Sequence, residues 1–222
     1  TPGFNIFIND AKASMVAADG AFVLVDGVAG VEVQTEKVWS FCDDFEMGRA
    51  IIINKLDRER SSFERSLESV QTVFGRTAIP VHLPIGAEKE FTGIVDLVRM
   101  KAYTYTRDGD GKGKESDIPA ALTDAAKAAH EALVEMVAEG NDKLLEEFFE
   151  TGTLPIEHIV DGLREAVRQR RMHPVLCASG LHNIGSDLIF NFAIDYFPNP
   201  AERGPWKGAL NGAEVNRAVK DS

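Results

Sequence analysis

Asn54-Lys55-Leu56-Asp57 is where this sequence concentrates its chemistry. A carboxylate at Asp57 can accept two N–H donors side by side, the pattern guanine presents on its N1 and N2, and charge-assisted pairs of that kind are strong hydrogen bonds. The aliphatic stem of Lys55 can lie on a flat base, and the amide of Asn54 can brace the loop. These side chains follow Arg49-Ala50-Ile51-Ile52-Ile53, a short β-branched run that predicts a buried strand. Ligands of α/β sheets sit outside the carboxyl ends of the strands, and these residues fall at such an end. Taken alone, the same four residues are equally a polar turn. A second loop, Ser179-Gly180-Leu181, follows another apolar run, His173-Pro174-Val175-Leu176-Cys177-Ala178.

Composition narrows the function classes. The chain has 222 residues, 44% hydrophobic and 27% charged, which suits one large globular domain or two modest ones. No run reaches the length of a membrane span and no signal peptide is visible, so no membrane partner is expected. A formal net charge of −11 argues against broad binding to phosphate backbones, and direct DNA binding is not expected. Cys42 and Cys177 lie far apart, have no metal-ligand spacing and read as two buried thiols. His82, His130, His158, His173 and His182 show no HExxH-type pairing, so no metal site is expected from this chain alone. No G-x-x-x-x-G-K-[ST] phosphate loop occurs. Gly109-Asp110-Gly111-Lys112-Gly113-Lys114 has the wrong spacing and reads as a flexible hairpin loop.

The elements that must hold the two loops alternate on both flanks of the chain. Strands are expected at 21–26, 49–54 and 173–179, and helices at 5–17, 33–45, 61–74 and 183–196. Ser61, with Glu64 three residues on, predicts a capping box for the helix at 61–74. From Ile79 the alternation stops. Residues 80–85, 91–98 and 101–106 read as strands, and 119–138, 142–150 and 155–171 as helices, with Pro119 suited to a first turn and Gly140 and Gly152 as punctuation. Strand–helix alternation predicts an α/β fold, an open parallel sheet flanked by helices on two faces, with an inserted α+β subdomain.

Thr1-Pro2-Gly3, Asn54-Lys55-Leu56-Asp57 and Ser179-Gly180-Leu181 come in the order of the later signatures of a translation-type GTPase. Pro84-Ile85-Gly86-Ala87-Glu88, Phe91-Thr92-Gly93-Ile94-Val95-Asp96-Leu97 and Asp195-Tyr196-Phe197-Pro198 have no obvious chemistry and point to one family: from Thr1 to about Pro200 the chain resembles elongation factor G. The resemblance implies an incomplete P-loop GTPase-type domain at 1–85 and 173–200 that lacks its phosphate loop, an inserted subdomain at 86–172, and the frayed start of a second domain at 201–222. It implies GTP-binding roles for Asn54, Lys55, Asp57, Ser179, Gly180 and Leu181, the N–H after the Ser meeting the guanine O6, and phosphate sensing by Thr1, Pro2 and Gly3 beside a mobile second switch. Gly180 stands where the family usually has Ala. Phe4 stands where it usually has the His that positions the attacking water, so no catalytic residue is expected here.

By the same resemblance the full-length parent is a cytoplasmic, ribosome-dependent GTPase promoting translocation, using GTP/GDP and Mg²⁺. The chain itself is expected to be an inactive fragment with no nucleotide bound. Phe4 favours an alternative, a non-translocating paralogue or ribosomal-protection factor, with this piece a binding module. The acidic face of the inserted helices (Glu131, Glu135, Glu139, Glu146, Glu147) is either a solvated surface or a dock for a ribosomal stalk protein. The strand at 21–26 is expected to be a bare edge that self-associates or is covered by the tail from Asn211.

Overall fold

A computed structural model describes residues 5–203 and 206–217; Thr1, Pro2, Gly3 and Phe4, and with them the phosphate-sensing expectation, lie outside the described residues. Its centre is β2 (Gly48–Asn54), buried along nearly its whole length. Ala50 and Ile52 enter one apolar cluster, Ile51 and Ile53 the other. A strand buried on both faces has to read as an unbroken apolar run, and this one does. β1 (Gly20–Asp26), β2, β8 (His173–Cys177) and β3 (Ala78–Pro80) form a wholly parallel sheet in that order. α2 (Val33–Asp44) and α3 (Phe63–Phe74) cover one face through Trp39, Cys42, Phe63 and Val70. α4 (Thr123–Ala138), α6 (Ile156–Arg168) and α7 (Ser186–Tyr196) supply the opposite cluster through Leu133, Val134, Leu163, Val167 and Phe192. Cys42 and Cys177 are free and buried.

The second sheet is antiparallel: β4 (His82–Ile85), β5 (Gly93–Asp96), β6 (Lys101–Thr104) and β7 (Lys114–Ser116). The α/β expectation, with an inserted α+β piece, is met. The inserted helices are not set apart, because α4 and α6 share one apolar cluster with β2 and β8. The strand expected over 80–85 is two strands in two sheets. Val81 hands the chain between them: its N–H donates to the Val175 carbonyl of β8 at 3.0 Å, and its own carbonyl accepts from Leu97 at 2.9 Å.

Other boundaries move for local reasons. The cap of α3 is Ser62, which accepts from the Arg65 N–H at 3.2 Å; Ser61 is buried and donates its hydroxyl to the Leu56 carbonyl. Pro119 precedes a 3-10 turn, Ala120–Leu122, and α4 starts only at Thr123. The expected helix at 5–17 is a 3-10 turn, Asn5–Phe7, followed by α1 (Ile8–Met15). α5 (Asp142–Thr151) is capped by the Asn141 side chain and closed by Gly152 in a left-handed conformation. The tail expected to fray forms a hairpin, β9 (Trp206–Leu210) against β10 (Ala213–Arg217), rather than a cover for β1. Among the described residues β1 pairs only with β2, with Val23 and Val25 buried and Leu24 59% exposed. No described helix is long and apolar enough to cross a membrane.

Candidate functional site

Parallel register brings the polar residues together. Asp26 is paired with Asn54 across β1 and β2, and Ile53 with Cys177 across β2 and β8, so three strands end at one edge. The loops beyond are stitched to each other. Ala178 N–H donates to the Ile53 carbonyl (3.0 Å), Gly27 N–H to the Asn54 carbonyl (2.8 Å), and Leu56 N–H to the Ala178 carbonyl (3.4 Å). The Asn54 side chain completes the join, its Oδ1 accepting the Gly180 N–H at 2.9 Å. Asn54 therefore braces the loop as its chemistry suggested. The N–H after Ser179 is committed to Asn54 here, so a base oxygen would have to exchange with that amide.

Lys55 adopts φ 63°, a left-handed conformation uncommon outside glycine, which turns its side chain out of the strand. Its ammonium meets Asp26 Oδ2 at 2.5 Å, while Asp26 Oδ1 accepts the Val28 N–H at 2.9 Å. Partial burial pushes the Asp26 carboxyl up, but Lys55 and the N–H groups of Val28 and Ala29 outweigh it and hold the carboxyl below its ordinary range. Asp26 was not singled out from the sequence. The available signal was its place as the last residue of a strand ending at this same edge.

Asp57 is 7% exposed, and its Oδ1 is buried with no hydrogen-bond partner. A buried acceptor is expected to be paired, so this oxygen is suited to an N–H that a ligand would bring. Oδ2 lies 3.6 Å from Nε2 of His182. Ser179 is fully buried; it exchanges backbone hydrogen bonds with Ile184 (3.1 and 3.0 Å), and its hydroxyl accepts the His182 N–H at 3.3 Å. It shapes the loop from inside. Gly180 is on the surface, where an added Cβ would meet nothing nearer than the Asn54 amide at 3.6 Å, and Leu181 is 74% exposed. The structure thus brings Asn54, Lys55, Asp57, Ser179 and Gly180 to one edge, with Leu181 projecting from it. The donor set fits a guanine base: a buried carboxylate with an open valence, an alkyl-ammonium stem and an exposed backbone turn.

The glycine- and lysine-rich loop after β6 does join a hairpin, but it is fastened rather than flexible. Tyr105 donates its hydroxyl to Asp187 Oδ1 (2.7 Å), Gly113 N–H reaches Asp187 Oδ2 (2.8 Å), and Asn183 Nδ2 reaches the Gly109 carbonyl (3.2 Å). Asp108 N–H donates to the His182 carbonyl at 3.3 Å. The hairpin of the second sheet is therefore latched to the loop that follows Ser179. No sequence pattern announced this contact.

The fold and the two convergent loops define a nucleotide-binding α/β domain, and comparison with known proteins says which. The sequence pattern of the elongation factor Tu GTP binding domain matches residues 1–199, and the chain belongs to that family, the GTP-binding domain of translation factors. A crystal structure of a protein from Thermus thermophilus is similar in fold, with a TM-score of 0.83 and 28% sequence identity. The likeness covers 92% of this chain and 31% of that protein, so the chain spans about a third of its length.

Proposed function

We propose that this chain supplies the guanine-reading half of the nucleotide site in a ribosome-dependent GTPase of the elongation factor G type, a protein that couples GTP hydrolysis to translocation. The observation that carries the proposal is Asp57: a buried carboxylate with one unpartnered oxygen, on a loop stitched to Ala178 and Gly180. In this reading Asp57 accepts the base N1–H and N2–H, the Lys55 stem flanks the ring, Asn54 braces the loop, and Ser179, Gly180 and Leu181 form the wall near O6. Thr1, Pro2 and Gly3 sense the γ-phosphate. GTP with Mg²⁺ supplies the reactive phosphates, and the residues here bind and orient the base. Residues 1–85 and 173–200 belong to the GTPase domain, 86–172 to the insertion and 201–222 to the start of a second domain. Because the 222 residues contain no phosphate-loop pattern, the chain alone is read as inactive in hydrolysis. The exposed Glu131, Glu135, Glu139 and Glu146 suit a basic stalk protein of the ribosome, and the β1 edge suits a second copy of the chain.

The test is Asp57→Asn in the full-length protein. Losing a charge-assisted pair should weaken GTP binding by about 1.5–3 kcal/mol and favour xanthosine triphosphate. An unchanged preference for GTP would reduce Asp57 to a turn residue. One sequence observation supports a second reading, a non-translocating paralogue or ribosomal-protection factor: the side chain of Phe4 has neither N–H nor lone pair with which to place a water. If Phe4→His leaves ribosome-stimulated turnover of the full-length protein unchanged, that reading loses its support.

A further inference from the structure

His182 stands beside the base-reading carboxylate, and its two ring nitrogens face opposite chemistry. Nδ1 lies 2.6 Å from Asp108 Oδ1, and Nε2 lies 2.6 Å from Nη2 of Arg107. A carboxylate only accepts and a guanidinium only donates, so Nδ1 must carry the hydrogen and Nε2 must offer its lone pair. The ring is then satisfied as a neutral imidazole of one tautomer. The 3.6 Å between Nε2 and Asp57 Oδ2 is too long for a hydrogen bond, and in this tautomer Nε2 has nothing to donate. The ring therefore makes no hydrogen bond to either oxygen of Asp57. Arg107 and Asp108 come from the hairpin between β6 and β7, which Asp187 and Asn183 fasten to this loop.

We propose that Arg107 and Asp108 are positioning residues for base selection: by fixing the tautomer of His182 they prevent it from capping Asp57. The hairpin of the inserted sheet thereby sets how well the base site beside it tells guanine from a purine without the 2-amino group. This rests on the reading of Asp57 given above. With both hairpin residues removed, Asp57 is the acceptor left beside the ring; Nε2 takes the hydrogen and donates it to Oδ2, the oxygen this proposal assigns to the 2-amino group, and that base contact is lost.

The first measurement needs no nucleotide. Long-range ¹H–¹⁵N spectra of the 222-residue chain at mildly alkaline pH should show His182 hydrogenated on Nδ1. R107A/D108A should move the hydrogen to Nε2, and R107K/D108N, which keeps a donor and an acceptor, should restore Nδ1. Hydrogen on Nε2 in the unaltered chain, or no change in R107A/D108A, overturns the proposal. The second measurement compares guanosine and inosine diphosphate on the full-length protein. R107A/D108A should lower the preference for guanosine by roughly tenfold to a hundredfold while inosine diphosphate affinity holds, the effect of one charge-assisted bond. Equal loss for both nucleotides would mean a merely structural role and overturns the proposal. A guanosine preference that the variant leaves intact overturns it alone, with Asp57 still the base reader. No preference in the unaltered protein removes the Asp57 reading and this proposal together.

Discussion

Oδ1 of Asn54 accepts the Gly180 N–H at 2.9 Å across 126 positions of sequence, and this bond joins the two loops of the candidate site. Its donor is exposed and its acceptor half-buried, so it contributes modestly to stability but decides where the second loop sits. Asn54→Ala should lower unfolding free energy by about 0.5–1.5 kcal/mol in urea titrations. A loss near zero would mean that the backbone stitches alone hold the loops together.

Gly180 offers the converse test. Its backbone is not left-handed, and a methyl group there would rest against the Asn54 amide at 3.6 Å, an ordinary contact. Gly180→Ala should therefore stabilise the chain by about 0.4–1 kcal/mol, by restricting the unfolded state. A drop in thermal midpoint would show that the loop needs freedom not visible in its resting geometry.

Two buried histidines make stability depend on pH. Burial holds His82 and His173 at a pKa of about 4 against an ordinary 6.5, and the like charge of Arg49 adds to the effect at His173. The unfolded chain takes up these protons near pH 6.5 and the folded chain only near 4, so stability is lost as pH falls between those values. Each histidine should cost about 2 kcal/mol between pH 7 and 5. Denaturant midpoints across that range check the slope, and His82→Gln should flatten it by about half. A flat profile in the unaltered chain would mean that both rings take up their protons as readily in the folded chain as in the unfolded one.

Base recognition without a phosphate cradle should bind weakly, because loop N–H groups and a helix N-terminus supply much of the anion binding of a nucleotide site. Calorimetry on the 222-residue chain should find GTP no tighter than roughly millimolar, an affinity of about −4 kcal/mol. A micromolar constant would show that the described loops hold more of the nucleotide than the base.

The capping of α3 separates two neighbouring serines. Ser62→Ala removes the acceptor for the Arg65 N–H and should cost about 1 kcal/mol. Ser61→Ala removes a buried hydroxyl from the Leu56 carbonyl, on the loop that carries Asp57, and leaves that helix cap intact. Melting the two variants side by side tests the assignment, and equal helix loss in both would reverse it.

What the sequence determined by itself is local. Ile51-Ile52-Ile53 reads as a buried strand, and its polar continuation as the turn at the strand's carboxyl end, because apolar burial and backbone pairing act on neighbouring residues. The parallel sheet and the helices on both faces were legible to that extent. Tertiary structure alone decided which polar groups face one another once the strands align. Asp26 meets Lys55 through strand register, His182 meets Asp57 through the turn after Ser179, and Arg107 and Asp108 arrive from a hairpin in the second sheet. The split at Val81 escaped the sequence too, since either sheet satisfies an extended apolar segment and only the partners Val175 and Leu97 choose between them. The physical reason is common to all of these: side-chain chemistry and periodicity are written residue by residue, whereas register and long-range hydrogen bonding depend on which distant backbone comes to lie alongside.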